Sequence, residues 1–286
     1  MNKIKSLFIG MFPMLSMGIG GYSIYQIITT GMNFIWLGAA MTTLPIMLFI
    51  SRIMMFKNIA RTTNHFPMIT TLAVIGLVAS IYGFVISGFS EQLGMALAGI
   101  GFVFFILYNF WYSSLGRRHN NVLRIGSKLP KFGVMATYGD VISSDSFLGS
   151  PTVFLFYRGN WCPLCMAQIK EISAQYQELI ATGAKVALIS PQPEENTQAL
   201  AAKFDVPFMF LTDIGNEAAK TLGLEMKNGL PAGMEMFGYD KDTVYPTIII
   251  TDDDGTIIYS DATNNYRIRP EPEEFIAVLN SNVKPA

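Results

Sequence analysis

Hydrophobic residues are distributed unevenly along the chain. Four long apolar runs follow one another in its first part, at about residues 7–28, 34–56, 68–89 and 92–114. Each run is long enough to cross the hydrocarbon core of a membrane, which takes about 20 helical residues. The pattern therefore predicts an all-α, four-helix transmembrane region over residues 1–118. A signal peptide is the alternative for the first run, but that run is too long and three more follow it.

After a polar connection at about 116–128, the pattern changes to short apolar segments with strand-like or helical spacing. Continuous apolar residues at 152–157 are typical of a buried strand. The predicted elements are, in order, a hairpin at 132–143, a strand at 152–157, a helix at 163–183, a strand at 185–190, a helix at 194–204, a strand at 208–211, a helix at 216–222, strands at 245–251 and 256–260, and a helix at 271–279. This order predicts an α/β domain over residues 125–284. Within it, the Gly- and Met-rich stretch 224–243 is interpreted as an insertion loop beside the candidate site.

Charge separates the same two parts of the chain. Up to His119 there are seven Lys or Arg residues and one acid, Glu91, whereas the remainder holds thirteen basic and twenty acidic residues. The basic residues lie on one side of the apolar runs; they are Lys3, Lys5, Arg52, Lys57, Arg61, Arg117, Arg118 and Arg124. With four spans, this bias predicts that both termini and the soluble domain are cytoplasmic. No basic stripe with interleaved aromatic residues occurs, which argues against nucleic-acid binding.

The apolar runs contain no residue type that indicates chemistry within the membrane. His65 and His119 lie outside the runs, which argues against a bis-histidine haem. No charged residue lies centrally in a run, so the usual marker of an ion path is missing. Small residues at helical spacing, such as Gly76 and Ser80, indicate close helix packing. We interpret the four runs mainly as a membrane anchor in a lipid bilayer.

The segment Trp161-Cys162-Pro163-Leu164-Cys165 carries the candidate chemistry. It lies between the predicted buried strand and the helix that follows. Free amides and the dipole at a helix N-terminus favour an anion, and therefore lower the pKa of a thiol. A second thiol one helical turn further on can close a disulfide and release a mixed-disulfide partner. A CxxC pair in this context predicts a redox-active site in a thioredoxin-like fold.

Other interpretations of the two cysteines have less support. A zinc site needs about four ligands, but the soluble domain holds two cysteines, with His119 at its membrane junction. A structural disulfide is disfavoured because the predicted compartment is reducing and so short a loop constrains little of the unfolded chain. Two ordinary buried cysteines are a further alternative. No metal or organic cofactor is implied.

A proline at the start of a predicted central strand is the second candidate element. Tyr245-Pro246 opens the segment 245–251, although proline normally argues against a strand. The conflict is resolved if Pro246 has a cis peptide bond and faces the cysteines, as in thioredoxin folds. A trans proline at the first strand position is the alternative.

The motifs FYRGNWCPLC, ISPQP and NNYRIRPEPEEF resemble those of the peroxiredoxin-like proteins of the AhpC/TSA superfamily, over about residues 125–280. The resemblance implies two competing assignments. By the thioredoxin pattern, Cys162 is the exposed nucleophile and Cys165 is the resolving thiol. By the peroxiredoxin pattern, Cys162 replaces the usual threonine, Pro163 is the loop proline and Cys165 is the peroxidatic cysteine.

The chain also departs from these relatives. The arginine that peroxiredoxins carry beside the strand of Tyr245 and Pro246 is missing. Arg158 could take its place in space, and Arg267 less readily. Arg158 is therefore interpreted as an electrostatic helper, with a solvated charge at a strand end as the alternative.

The proton-handling groups of both patterns are missing as well. Gln168 stands where an acid usually follows the peroxidatic cysteine, and Phe156 stands where thioredoxins have a buried aspartate. Trp161 is expected to act as a hydrophobic shield for the cysteine pair.

We therefore expect a membrane-anchored thiol–disulfide oxidoreductase or antioxidant that uses Cys162 and Cys165 to reduce disulfides or hydroperoxides. A thioredoxin- or glutathione-type reductant would restore the pair. Because the usual arginine and threonine are missing, disulfide exchange is expected to match or exceed peroxide reduction. The alternative is a non-catalytic membrane scaffold with a redox-sensing CxxC.

Overall fold

The computed structural model of the chain describes residues 2–55, 63–117, 120–261 and 263–281. Four residues discussed above, Lys57, Arg61, Arg118 and His119, lie outside the described residues. The chain divides into two compact units, which comprise Lys3–Ser114 and Leu115–Ala286.

The described part of the first unit is helical, as the apolar runs predict. Its helices are α1 (Asn2–Thr30), α2 (Phe34–Met55), α3 (Pro67–Ile86) and α4 (Gln92–Ile106), and α4 continues as a wider π-helical segment, Leu107–Tyr112. When α4 is counted together with this segment, all four helices are long and apolar enough to cross a membrane. Phe66 takes a left-handed conformation just before α3, and Pro67 occupies the first turn, where its missing N–H is not needed.

Small residues allow α2 to pack closely against α3. A Cβ atom added at Gly38 would overlap the backbone carbonyl of Gly76. Across the same contact, Ser80 Oγ donates a 2.9 Å hydrogen bond to the carbonyl oxygen of Ile35. In α4, a Cβ at Gly94 would meet the Ile35 side chain. The small residues therefore serve helix packing, as the sequence predicts.

The second unit is built on a seven-stranded mixed sheet. The strands along the chain are β1 (Gly133–Ala136), β2 (Val141–Ser143), β3 (Thr152–Phe156), β4 (Lys185–Ser190), β5 (Met209–Thr212), β6 (Glu225–Met226), β7 (Thr243–Val244), β8 (Thr247–Thr251) and β9 (Ile257–Asp261). The helices are α5 (Pro163–Ala174), α6 (Tyr176–Ala181), α7 (Glu194–Phe204), α8 (Glu217–Thr221) and α9 (Pro272–Ser281). The strand order is β2-β1-β5-β4-β3-β8-β9, and β6 pairs with β7 separately.

The thioredoxin-like α/β fold expected for this unit is confirmed. Parallel pairing joins β3, β4 and β5, while β8 and β9 form an antiparallel hairpin beside β3. All residues of β3 and β8 are buried, which explains their unbroken apolar pattern. The observed strands and helices lie within a few residues of the predicted ones.

The strand register gathers three chain segments at one edge of the sheet. Phe156, the last residue of β3, pairs with Thr247, the first residue of β8. Ile248 pairs with Asp261, the last residue of β9. Because β9 therefore runs parallel to β3, the chain leaves both strands at the same edge and enters β8 there. The cysteine-containing loop, the Tyr-Pro element and the C-terminal tail all start from this edge.

Three local expectations need correction. No peptide bond among the described residues is cis, so the bond before Pro246 is trans, and Pro246 directly precedes β8. The helix predicted at 163–183 is interrupted at Gln175 (φ −106°, ψ 20°) and continues as α6. The stretch 224–243, which was interpreted as a loop, contains β6 and the first residue of β7, and these two strands pair.

Candidate active site

Cys162 and Cys165 lie at the first turn of α5. Cys162 caps the helix and Pro163 follows in its first turn. The Cys162 sulfur accepts a hydrogen bond from the Cys165 backbone N–H (3.4 Å), and the two sulfur atoms are 2.7 Å apart. A disulfide bond is about 2.05 Å long, so these free thiols need little movement to form one. Only 2% of Cys162 and 1% of Cys165 is exposed, so the expectation of an exposed Cys162 is wrong.

The two thiols differ in their affinity for a proton. Burial alone would raise the pKa of Cys162, but the hydrogen bond from Cys165 and the charges of Arg158 and Arg269 lower it to about 6. For Cys165, burial, the hydrogen bond to Cys162 and the negative charge of Cys162 raise the pKa well above its usual value. At neutral pH the pair therefore carries one negative charge, which lies mainly on Cys162, while Cys165 keeps its proton.

Arg158 is buried in the loop between β3 and α5, with 4% of its surface exposed. Its guanidinium carbon lies 4.7 Å from the centre of the Trp161 ring, and Nη2 donates to the carbonyl oxygen of Gly229. The Thr243 hydroxyl donates to the Arg158 carbonyl oxygen at 3.0 Å. Because Arg158 is buried, it is not a solvated charge at a strand end. Its charge instead lowers the pKa of Cys162.

A glutamine in the ISPQP motif holds the loop that precedes the cysteines. Gln192 Oε1 accepts from the Asn160 backbone N–H at 2.7 Å, and Nε2 donates to Tyr157 Oη at 3.1 Å and Thr197 Oγ1 at 3.2 Å. Tyr239, which belongs to the 224–243 stretch, donates a hydrogen bond from its hydroxyl to Asn160 Oδ1. The motif contributes to the sequence resemblance, but no local spacing indicates this bracing role.

Arg269, in the C-terminal tail, is a candidate site residue that sequence analysis did not single out. Its charge acts on both thiols, and its Nε and Nη2 atoms are buried without a hydrogen-bond partner among the described residues. Arg267, the residue considered from sequence, is also buried. The tail motif NNYRIRPEPEEF was the available signal, but it does not reveal which arginine acts on the cysteines.

Tyr245 and Pro246 lie at the same sheet edge, where Arg117 contacts both. The Arg117 guanidinium carbon is 5.3 Å from the centre of the Tyr245 ring, and Nη2 donates to the Pro246 carbonyl oxygen. A cavity of about 600 Å³ opens beside them. It is lined by Gly116, Arg117, Asn120, Leu123, Gly223, Leu224, Glu225, Tyr245, Thr247, Ser260 and Asn264. Neither cysteine lines this cavity.

Few groups near the pair can handle protons or metals. Gln168 is 3% exposed, and its Nε2 has no hydrogen-bond partner among the described residues. Burial raises the pKa of Tyr157, which keeps its hydroxyl protonated. Within the described ranges, no three His, Cys, Asp or Glu side chains are grouped so as to hold a metal ion.

Residues 125–260 match the AhpC/TSA family, which confirms the resemblance expected from the motifs. Similar curated proteins include chloroplastic peroxiredoxin Q of Sedum lineare and of Triticum aestivum, which are 33% and 31% identical to the chain over 121 residues. Each alignment covers 42% of this chain, but 64% and 55% of those proteins. The chain thus spans less than two thirds of their length.

Similar solved structures include peroxidoxin BcpB from Mycobacterium tuberculosis, with 16% identity and a TM-score of 0.47, covering 57% of this chain and 99% of that one. AhpC from Enterococcus faecalis has 18% identity and a TM-score of 0.45, and the match covers 55% of this chain and 90% of that one. With TM-scores below 0.5, neither likeness supports a conclusion about this chain.

Proposed function

We propose that this chain, whose residues 125–260 form an AhpC/TSA domain, is a membrane-anchored thiol oxidoreductase that reduces hydroperoxides or disulfides. Cys162 is the attacking thiolate and Cys165 is the resolving thiol. A thioredoxin- or glutathione-type thiol returns the oxidised pair to its reduced form. The four apolar helices anchor the domain in a lipid bilayer.

The arrangement of the two sulfur atoms carries this proposal. With a pKa of about 6, Cys162 is roughly nine-tenths thiolate at pH 7, whereas a free cysteine is about 3% thiolate. The thiolate is the nucleophile in both reactions. Cys165, which stays protonated, stabilises the thiolate and lies close enough to displace a group attached to it.

In hydroperoxide reduction, the Cys162 thiolate attacks one oxygen and the O–O bond breaks. The bonding electrons go to the leaving oxygen, which takes up a proton, and Cys162 becomes a sulfenic acid. The Cys165 sulfur then attacks Cys162, the S–S bond forms and water leaves. In disulfide reduction, the Cys162 thiolate attacks one sulfur of the substrate, the substrate S–S bond breaks, and the other sulfur leaves as a thiolate that takes up a proton. Cys165 then attacks Cys162 in the mixed disulfide, the Cys162–Cys165 bond forms, and the remaining half of the substrate leaves as a thiol.

The soluble unit is proposed to face the cytoplasm. The support is the bias of basic residues, of which Lys3, Lys5, Arg52, Arg117 and Arg124 lie in the described part of the chain. Basic residues are retained preferentially on the cytoplasmic side of short loops. A cytoplasmic location also supplies the reducing thiols that the cycle needs.

The burial of both thiols favours one other function, a membrane scaffold whose cysteine pair senses redox state. At 2% and 1% exposure, neither sulfur reaches a bulky partner without movement of the surrounding loop. A small peroxide needs less movement than a protein disulfide. Reaction with substrates therefore distinguishes the enzyme from the scaffold.

The test uses the reduced full-length protein in detergent micelles. One equivalent of hydrogen peroxide, an organic hydroperoxide or a small disulfide is added, and free thiols are counted over time. We expect at least one substrate to convert the pair to the Cys162–Cys165 disulfide. Cys162→Ser should abolish the reaction, and Cys165→Ser should accumulate a mixed disulfide on Cys162 with the disulfide substrate. If the wild-type thiols stay reduced with all three substrates, the scaffold is the correct function.

A further inference from the structure

The chain between Leu230 and Lys241 forms a loop whose two ends are joined by hydrogen bonds. The Leu230 backbone N–H donates to the Lys241 carbonyl oxygen at 3.1 Å, and the Asn228 N–H donates to Asp242 Oδ1 at 2.7 Å. Residues 231–240, here named the Met-Phe loop, therefore extend from a closed base. Because its ends stay joined, the loop can move while β6 and β7 remain paired.

The base of the Met-Phe loop lies on the chain that leads into the cysteines. The carbonyl oxygen of Gly229 accepts a hydrogen bond from Arg158 Nη2, and the Thr243 hydroxyl donates to the Arg158 carbonyl oxygen at 3.0 Å. Arg158, four residues before Cys162, is only 4% exposed. The base therefore covers the first part of the cysteine-containing loop and is held there by both contacts.

The Met-Phe loop itself is attached by fewer contacts than its base. Of the hydrogen bonds among the described residues, one joins it to the chain outside the 224–243 stretch, from the Tyr239 hydroxyl to Asn160 Oδ1. Asn160 lies two residues before Cys162, and its backbone N–H donates to Gln192 Oε1 at 2.7 Å. Because the cysteine side of this contact is braced, breaking the Tyr239 bond releases the Met-Phe loop and leaves the cysteines in place.

Little buried surface holds the middle of the Met-Phe loop. Its short 3₁₀ helix, Met234–Phe237, has no buried residue, and Met236 and Phe237 are 89% and 70% exposed. Gly233 and Gly238 flank this helix with φ of 91° and 82°, a region that glycine enters without strain. Segments with few buried contacts open at low free-energy cost, and flanking residues of this kind can absorb the change in backbone angles.

We propose that the Met-Phe loop closes over the cysteine pair, and that the Tyr239–Asn160 hydrogen bond determines the size of the substrate that reaches Cys162. This inference rests on the proposed function and identifies the residue that sets its substrate range. The two thiols are 2% and 1% exposed. Small hydroperoxides and small disulfides react while the bond is formed, whereas a protein disulfide reacts only after the bond breaks and the loop moves away.

The expected size of the effect follows from the loss of one hydrogen bond. Removing a hydrogen bond between neutral groups shifts the equilibrium between closed and open loops by about 2- to 10-fold. When opening and closing are fast relative to the reaction, the rate with a bulky reagent is proportional to the open population. A reagent that enters the closed site does not depend on that population, so its rate should stay the same.

The test measures access to Cys162 in the reduced full-length protein in detergent micelles. Alkylation rates with iodoacetamide and with a maleimide linked to poly(ethylene glycol) are each divided by the rate of that reagent with free cysteine. In the wild type, the bulky reagent should be the slower of the two on this scale. Tyr239→Phe, which keeps the ring and removes the hydroxyl, should speed the bulky reagent by about 2- to 10-fold and leave iodoacetamide within about 2-fold. Reduction of insulin and of hydrogen peroxide should divide in the same way.

Two further variants separate this contact from a general loosening of the fold. Asn160→Ala removes the acceptor and should reproduce Tyr239→Phe, and the double variant should add nothing to either, because both remove one interaction. Tyr138→Phe is the matched control, since Tyr138 is 74% exposed at the turn between β1 and β2; it should match the wild type.

Equal acceleration of both alkylating reagents, no acceleration of the bulky one, or additive effects in the double variant would overturn the proposal. The same holds if the control variant accelerates the bulky reagent, or if that reagent meets no barrier in the wild type. Alkylation needs no turnover, so these results leave the proposed function intact; that function fails only if the wild type reacts with no substrate.

Discussion

Replacing Cys165 by alanine or by serine separates its role as a hydrogen-bond donor from its role as a thiol. In the structure, Cys165 lies 2.7 Å from the Cys162 sulfur, and its hydrogen bond is the largest of the influences that lower the pKa of Cys162. Alanine removes the side-chain donor, while serine keeps one. The backbone N–H of residue 165 and the nearby arginines are unchanged in both variants.

The size of the effect follows from the strength of that hydrogen bond. A hydrogen bond to a charged group contributes about 1.5–3 kcal/mol, and one pKa unit corresponds to about 1.4 kcal/mol. Cys165→Ala should therefore raise the pKa of Cys162 from about 6 by about 1–2 units. At pH 6.5, the thiolate fraction would fall from roughly three quarters to roughly a tenth. Cys165→Ser should stay much closer to the wild-type pKa.

The assay is the pH dependence of Cys162 alkylation by a small reagent, followed by peptide mass spectrometry. Far-ultraviolet absorbance of the thiolate gives an independent titration. The pKa of Cys162 can only rise in Cys165→Ala, because loss of a hydrogen-bond donor to the thiolate disfavours the charged form. The titration therefore moves to higher pH. Identical titrations of the alanine and serine variants, both at the wild-type pKa, would refute the role assigned to the Cys165 thiol.

Three further outcomes are expected. Gly38→Ala should destabilise the detergent-solubilised protein by about 1–3 kcal/mol in thermal unfolding, because its methyl group meets a facing carbonyl. Gly18→Ala should leave the unfolding temperature unchanged, because the space around the added Cβ is open. An equal loss of stability in both variants would contradict the close α2–α3 packing. A reporter fused after Ala286 should be active only if it is a cytoplasmic reporter, and activity of a periplasmic reporter would contradict the topology. Gln192→Leu should lower stability by about 1–3 kcal/mol, since it leaves the polar groups that Gln192 binds unpaired; an unchanged unfolding temperature would contradict its bracing role.

Local pattern was sufficient to predict the framework of the site. The apolar segment 152–157 is typical of a buried strand, and Cys162 and Pro163 are residue types that suit the start of a helix. Because proline is tolerated at the start of a strand, the sequence did not decide between a cis and a trans peptide bond before Pro246. The structure has the trans bond, which was the alternative in the sequence analysis. The sequence predicted one continuous helix through Gln175, where the structure has a break between α5 and α6. A single non-helical residue does not alter the spacing of apolar side chains, so the periodicity did not reveal the break.

The contacts that tune the thiols are long-range, and no local pattern encodes them. Arg269 is brought to the cysteines by the β8–β9 hairpin, so its importance depends on strand register rather than on neighbouring residues. From sequence alone, Arg158 could equally be a solvated charge at a strand end. It is buried because residues of the 224–243 stretch contact it in the folded protein. The same tertiary arrangement buries Cys162, which helix position alone would leave accessible.

The identity of the cysteine that is oxidised first tests the account most directly. Reduced Cys165→Ser and Cys162→Ser proteins are mixed rapidly with hydrogen peroxide, and the sulfenic acid is trapped with a dimedone-type reagent and located by mass spectrometry. Because Cys162 holds the thiolate, we expect rapid trapping on Cys162 in Cys165→Ser and no fast reaction in Cys162→Ser. A fast sulfenic acid on Cys165 in the Cys162→Ser protein would contradict the account and make Cys165 the peroxidatic residue.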